Sequence, residues 1–305
     1  MTDGDMLIIK VPASTANLGP GFDSVGMALN LYLTLEVEKA DKWEVIPLTE
    51  EMAVFPSDES NFIIQMAFKT AEKYNKVLPP AQVKVNSEIP LARGLGSSAT
   101  AIVAGIELAD SLGELQLTKQ EKLEIAAEVE GHPDNVGPSL YGGLLVGCQQ
   151  GESVDVVSFH DLDVDVVAVV PTEELLTKKS RGVLPESTSF KESVTAGAVA
   201  NVLVASLLSG NYELAGKMMK ADRYHQPYRR QLVPHMDIIE EKAPQYGAYG
   251  VALSGAGPTI LCLVKPGKAQ SVVDGLKAVL PDMDYHILNI DKEGSQVLVK
   301  KNTAV

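Results

Sequence analysis

The sequence predicts an α+β protein, or its mixed α/β variant, built as two domains. Three observations carry that prediction. Segments alternating at period two stand beside segments repeating at helical spacing along the whole chain. The first half opens on strands joined by glycine-rich loops, whereas the second half interleaves helices with strands. The chain has 305 residues and 45% hydrophobic content, enough for one large core or two ordinary ones. The softest stretch, around 150–165, divides it into 1–160 and 161–305.

Taken in order, residues 7–12 read as a strand, followed by the loop Ser14-Thr-Ala-Asn-Leu-Gly-Pro-Gly-Phe-Asp23. Leu31, Leu33, Leu35 and Val37 alternate as a half-buried strand, with 43–48 as its partner. Ile64, Ala67, Ala71 and Tyr74 give 61–74 helical spacing, and 83–89 alternates as a strand. From Ser97, the residues Ile102, Val103, Ile106, Ala109 and Leu112 fall on one helical face, and Gly113 supplies a stop. Thr118 with Glu121 forms a capping box that opens a helix running to Val129. Strands follow at 142–148, 154–159 and 164–170. The second half reads as helices at 192–208, 211–221, 235–244 and 267–280, with strands at 248–254, 259–264, 284–290 and 296–299.

Charge narrows the function. The net charge of −14 argues against nucleic-acid binding, which depends on basic patches. An acidic protein that binds an anion needs local neutralisation from arginine, metal or helix dipoles. The chain lacks an uninterrupted apolar run of about 18 residues, so no membrane span is expected. The acidic start Met1-Thr-Asp-Gly-Asp-Met6 lacks the basic opening of a signal peptide, which makes the cytoplasm the expected location. Cys148 and Cys262 sit in apolar, strand-like runs and read as buried thiols without a disulfide.

The most informative stretch is Pro90-Leu91-Ala92-Arg93-Gly94-Leu95-Gly96-Ser97-Ser98-Ala99-Thr100. It joins a strand to a helix through glycines. A helix start offers unpaired N–H groups and the positive end of the macrodipole, which suits phosphate. Ser97, Ser98 and Thr100 add hydroxyl donors. Neither G-x-x-x-x-G-K-[ST] nor G-x-G-x-x-G is present, because Ser97 follows Gly96 and Ala99 stands at the third glycine position. Read alone, the stretch is equally an ordinary turn.

Three further segments carry candidate chemistry. Asn17-Leu-Gly-Pro-Gly-Phe-Asp23 puts two polar side chains on one loop, and its bland reading is a Pro-Gly turn. Glu128-Val-Glu130-Gly-His-Pro-Asp134-Asn135 follows a capped helix. There Glu130 suits a Mg2+ site and Asp134 suits orienting or deprotonating a hydroxyl, against a solvated helix end. Ser254-Gly-Ala-Gly-Pro-Thr259 lies between two strands. Ala252 occupies the first position of G-x-S-x-G, which disfavours a serine hydrolase and leaves a hairpin turn.

In this order, the set Val11–Asp23, Pro90–Thr100 and Ser254–Thr259 resembles the GHMP small-molecule kinase superfamily over nearly the whole chain. His132-Pro-Asp-Asn135, Thr177 with Arg181, and Gln226-Pro-Tyr-Arg229 make it most similar to the homoserine kinases of that group. The resemblance implies an N-terminal domain like ribosomal protein S5 domain 2 and a C-terminal ferredoxin-like domain, with the site between them. It implies ATP over residues 90–100, with Asn61 at the base and Mg2+ held by Ser98 and Glu130. It implies L-homoserine held by Asn17, Asp23, Asp134, Thr177, Arg181 and Arg229, with Arg229 preferred over Arg230, and a possible homodimer. The implied reaction phosphorylates the homoserine side-chain hydroxyl in threonine biosynthesis. Catalytic roles fall to Asp134, Asn135 and Glu130, with Asp134 either base or orienter. The other readings are a mevalonate-type kinase of the same fold and a non-catalytic nucleotide-binding regulator.

Overall fold

A computed structural model describes residues 5–301. The Met1–Gly4 start, part of the acidic leader-free reading, lies outside the described residues. The first half runs β1 (Met6–Ala16), β2 (Val25–Lys39), β3 (Glu44–Pro47), α1 (Phe62–Lys73), β4 (Ala81–Ser87), α2 (Ser97–Gly113), α3 (Lys119–Glu130), α4 (Pro133–Tyr141), β5 (Leu144–Gln150) and β6 (Ser153–Phe159). The second half runs β7 (Asp165–Val170), α5 (Thr177–Arg181), α6 (Phe190–Leu208), α7 (Tyr212–Lys220), α8 (Gln226–Arg229), α9 (Met236–Tyr246), β8 (Ala248–Leu253), β9 (Ile260–Val264), α10 (Ala269–Lys277), β10 (Asp284–Leu288) and β11 (Gln296–Lys300).

The α+β class holds, and the strands form two sheets. The first sheet is ordered β11-β1-β2-β4-β3, and β5 and β6 extend it from the N-terminal end of β2. α2 is buried along most of its length against α1, α3, α4 and β1. The second sheet is antiparallel with order β10-β7-β9-β8, the ferredoxin-like arrangement. Both its faces are covered, which explains its near-continuous apolar strands. Val166, Ala168, Val170, Leu261 and Leu263 face the core shared with α6 and α7. Val167, Val169, Ile260, Cys262 and Val264 face the cluster built by α9 and α10. β11 crosses back to the first sheet and pairs antiparallel with β1, Met6 opposite Lys300. Among the described residues one helix, α6, is long and apolar enough to cross a membrane; Ala196, Leu203 and Leu207 on it are buried in the protein.

Several elements differ from the sequence expectation for physical reasons. β1 does not end at residue 12. A register shift between Pro12 and Ala13 breaks the alternation, and Ala13–Ala16 continue against Gly26–Leu29. The polar turn after Glu130 opens α4, nine residues long and almost wholly buried. Pro133 sits at its start, where the missing N–H costs nothing. Pro138, which resembles a breaker, leaves the Asp134 carbonyl without its helical donor; Gly26 of β2 packs directly over that carbonyl, where no Cβ would fit. α2 runs through Gly113, and Glu114 takes the left-handed cap.

The two cysteines are a correction. Cys262 is buried as expected, but Cys148 is exposed. β5 leaves the core after Gly147 and continues beside the edge strand β6. Burial pushes the Cys262 thiol up to about 12, so it has almost no thiolate at neutral pH. A native-state thiol titration is therefore expected to count one reactive group per chain, with the second appearing only on unfolding. A Cys148→Ser variant that still reacts in the native state would contradict this.

Candidate active site

Three glycine-rich segments distant in sequence meet at one point. α2 starts at Ser97 with Gly96 as its N-cap at φ 73°, so the first-turn amides face away from the helix body. The Ser14 amide donates to the Leu95 carbonyl at 3.2 Å. Ser254 Oγ donates to the Gly94 carbonyl at 2.6 Å and lies 2.9 Å from Thr15 Oγ1. The Thr259 amide donates to Arg93 O, and the Gly255 amide to Ala16 O, both at 3.1 Å. Asn17 Nδ2 closes the set on Gly255 O at 3.1 Å. The loop that begins α2 is thus held from both sheets. A Cβ at Gly94 would collide with the Ser254 carbonyl, and one at Gly96 with Ser14 Oγ.

A cavity of about 450 Å3 opens over this junction. One end is apolar, lined by Val45, Pro47, Met52, Phe55, Phe62 and Val85. The other end is charged, lined by Asp23, Glu130, His132, Asp134, Arg181 and Arg229. The α2 start also lines the cavity, through Gly96 to Thr100.

At the charged end, Arg181 Nη2 and Nη1 donate to Asp23 Oδ1 and Oδ2 at 2.8 and 3.2 Å. Arg229 is 2% exposed and has no carboxylate partner among the described residues. Its Nε donates to Ser180 O at 3.3 Å, and its Nη1 to Gly255 O at 3.0 Å and His225 Nδ1 at 3.1 Å. Burial and the neighbouring Arg181 push its pKa down to about 10. Both guanidiniums lie over the Phe22 ring, at 5.5 Å for Arg181 and 5.3 Å for Arg229. Asp134 is buried at the start of α4 and hydrogen-bonds His132 Nδ1. Burial works to lower the His132 pKa, but its hydrogen bond and charge contact with Asp134 outweigh it and raise the net value. Asn135 Nδ2 donates to Ser14 Oγ at 3.0 Å. Burial raises the Glu130 pKa, the nearby His132 opposes that, and its carboxylate has no hydrogen-bond or ion-pair partner among the described residues.

Most residues singled out from the sequence line this cavity: Asn17, Asp23, Asn61, Leu91–Gly94, Gly96–Thr100, Glu130, Asp134, Asn135, Thr177, Arg181 and Arg229. Pro90 and Leu95 do not line it, and Leu95 points into the core. Thr100 Oγ1 is turned back to Ser97 O. The Arg93 guanidinium faces the Pro171 and Thr172 carbonyls and Glu174. Asn61 uses its amide as the N-cap of α1, accepting from the Ile63 amide and donating to Pro56 O. Arg230 is tied to Asp237 and Glu240, and does not line the cavity. Sequence reasoning missed His132, Phe22 and the apolar wall. His132 stands in the quoted H-P-D-N run, which was its available signal. The wall combines Val45 and Pro47 of β3 and Val85 of β4 with Met52, Phe55 and Phe62 between them in the chain, and no local pattern shows that they meet.

The family model for the GHMP kinase N-terminal domain matches residues 61–143, and the one for the C-terminal domain matches 203–282. The chain is 50% identical over 295 residues to a homoserine kinase of Bacillus licheniformis, covering 96% of each chain. It is 51% identical over 298 residues to a homoserine kinase of Bacillus velezensis, covering 97% and 96% of the two chains. The solved homoserine kinase of Cytophaga hutchinsonii superposes with a TM-score of 0.84 at 27% identity, covering 98% of this chain and 99% of that one. A mevalonate kinase of L. major, at 19% identity and TM-score 0.69, shares the fold. With both domain models matched and such relatives spanning its length, the chain belongs to the GHMP kinase family.

Proposed function

We propose that this protein transfers the γ-phosphoryl group of ATP to the side-chain hydroxyl of L-homoserine, giving O-phospho-L-homoserine on the route to threonine. The observation that carries the reading is Arg229. A guanidinium buried to 2% exposure without a carboxylate partner, beside an Arg181–Asp23 pair, is a site awaiting an anion. An α-amino acid brings a carboxylate for the two arginines and an ammonium for Asp23. A mevalonate-type acceptor would satisfy the arginines but bring no ammonium to Asp23. A regulator without catalysis has no need of an unpaired Glu130 beside a phosphate loop.

The apolar end suits the adenine ring, and the amides at the start of α2 suit the phosphates. Ser98 is exposed on the first turn of α2, and Glu130 has a free carboxylate in the same cavity, so the pair fits a hard cation that keeps water and phosphate ligands. Mg2+ there would offset charge on the phosphate oxygens. Phosphoryl transfer depends mainly on placement and charge stabilisation. Asn17 holds the Asp23 amide through its Oδ1 at 3.0 Å, which fixes the loop that meets the ammonium. Asp134, with an oxygen taken by His132, serves as the group that orients the acceptor hydroxyl, and Asn135 lines the same spot. We place the reaction in the cytoplasm, where Mg·ATP is supplied.

Phosphorus NMR of a reaction with Mg·ATP and L-homoserine tests the reading. A new phosphomonoester resonance should grow as ADP forms, at equal rates. ADP formation without that resonance would remove homoserine as the acceptor.

Glu130→Gln is expected to raise the Mg2+ concentration for half-maximal rate by about tenfold or more. A raised carboxyl pKa means that protons compete with the cation. The native Mg2+ requirement should therefore climb as pH falls towards that pKa, and the glutamine variant should lose this slope. A Mg2+ requirement unchanged by the substitution would take Glu130 out of the metal site.

A further inference from the structure

His225 is wholly buried, yet nothing in the reaction outlined above uses it. Its position is unusual in what it joins. The ring contacts the N-terminal substrate loop through Nε2, 3.0 Å from the Gly19 carbonyl, and the substrate-facing arginine through Nδ1, 3.1 Å from Arg229 Nη1. Arginine can only donate, so Nδ1 accepts; Gly19 O can only accept, so Nε2 carries the proton. Both contacts together require the neutral Nε2–H tautomer. Burial favours that form, pushing the ring pKa down to about 4 against the pull of Asp222. The groups facing the ring are Asp222 at 3.5 Å, Arg229, the Gly19 carbonyl and the Phe22 ring, which stacks on it at 5.3 Å.

The surroundings hold this ring in place. Asp222 accepts the amides of Tyr224, His225 and Gln226, which fixes the start of α8. Gln226 bridges the Met219 carbonyl of α7 and the Leu253 amide of β8. His225 therefore stands on a rigid corner of the second domain and reaches across to a loop of the first. Phe22, three residues after Gly19, lies under both guanidiniums.

We propose that His225 is a positioning residue: by accepting from Arg229 and donating to Gly19, it sets the arginine that receives the acceptor's carboxylate in register with the Asn17–Asp23 loop that receives its ammonium. This rests on the function proposed above. It adds a specificity element that touches no substrate. The effect should be confined to acceptors that carry a carboxylate, because His225 acts on them only through Arg229.

Steady-state kinetics of His225→Leu and His225→Gln test it. Leucine removes both polar contacts, whereas glutamine keeps a neutral donor and acceptor. The leucine variant is expected to raise KM for L-homoserine about tenfold or more, with kcat and the ATP KM within about threefold of the parent. The glutamine variant should stay within about threefold of the parent in all three. Binding of L-homoserinol, which lacks the carboxylate, measured as inhibition of homoserine phosphorylation, should be the same in every variant. A leucine penalty shared equally by homoserinol, a fall in kcat together with both KM values, or a glutamine variant as impaired as leucine would overturn the proposal in favour of simple packing. If the leucine variant does not fold, His225→Phe, which keeps a flat ring but also removes both polar contacts, takes its place with the same expectations. Failure of the parent itself to phosphorylate homoserine would instead reject the underlying function, so the two failures are distinguishable.

Discussion

Replacing Arg229 by methionine is expected to raise KM for L-homoserine by about two orders of magnitude, while the ATP KM moves by less than about threefold. The asymmetry follows from where the guanidinium lies. It is buried at the charged end of the cavity, away from the apolar end that suits adenine. Removing one partner of a desolvated charge pair costs roughly 2–5 kcal/mol, and each 1.4 kcal/mol or so is tenfold in affinity. The loss should fall mainly on binding, because the carboxylate is remote from the reacting hydroxyl. The fold should tolerate the change. Methionine forfeits hydrogen bonds to Ser180 O, Gly255 O and His225 Nδ1, but relieves the burial and the Arg181 repulsion that depress the arginine pKa to about 10. Arg229→Lys should fall between, since an ammonium keeps the charge but loses the planar fork. Equal losses for homoserine and ATP would move Arg229 out of the acceptor site.

Gly96→Ala is the second large effect, and it strikes the other half of the cavity. The residue holds φ 73°, where a side chain costs roughly 1–2 kcal/mol. The new methyl would also collide with Ser14 Oγ, adding roughly 1–3 kcal/mol of overpacking. Ser14 cannot simply retreat. Its amide holds Leu95 O, and its Oγ accepts from Asn135. A shift there moves the phosphate loop and the acceptor side together, and a displacement of about 1 Å can cost about a hundredfold in rate. We expect a fall in kcat of at least about a hundredfold together with a lower Tm. Gly210→Ala is the control. It has φ 72° with nothing within 4 Å of a Cβ, so it should lose stability alone. Comparable activity losses at both positions would show that backbone strain, and not the Ser14 junction, governs the rate.

Much of this was legible from sequence because the chemistry sits on short, contiguous runs. The 90–100 stretch signalled a glycine-rich turn into a helix, and the structure builds that helix from Ser97. The capping box at Thr118 and Glu121 formed as written. Long-range pairing was not legible. Nothing local indicates that β11 returns to β1, or that Ser254 supports Gly94. Local rules also failed where tertiary packing overrode them. Pro138 and Gly137 look like breakers but lie inside α4, where buried neighbours fill the space above them. Cys148 has an apolar sequence context but follows the strand out of the core. Arg181 and Asp23 were read as separate substrate ligands, and the structure pairs them with each other. That pairing is a feature no linear motif records.

The central claim is that this cavity is matched to an α-amino acid acceptor. Its most direct test is kcat/KM with Mg·ATP for L-homoserine against mevalonate, which offers the carboxylate and a primary hydroxyl without the ammonium. The account predicts a preference for homoserine of at least about tenfold, since only homoserine brings an ammonium to Asp23 when its carboxylate draws Arg181 away. Equal or better turnover of mevalonate would contradict it.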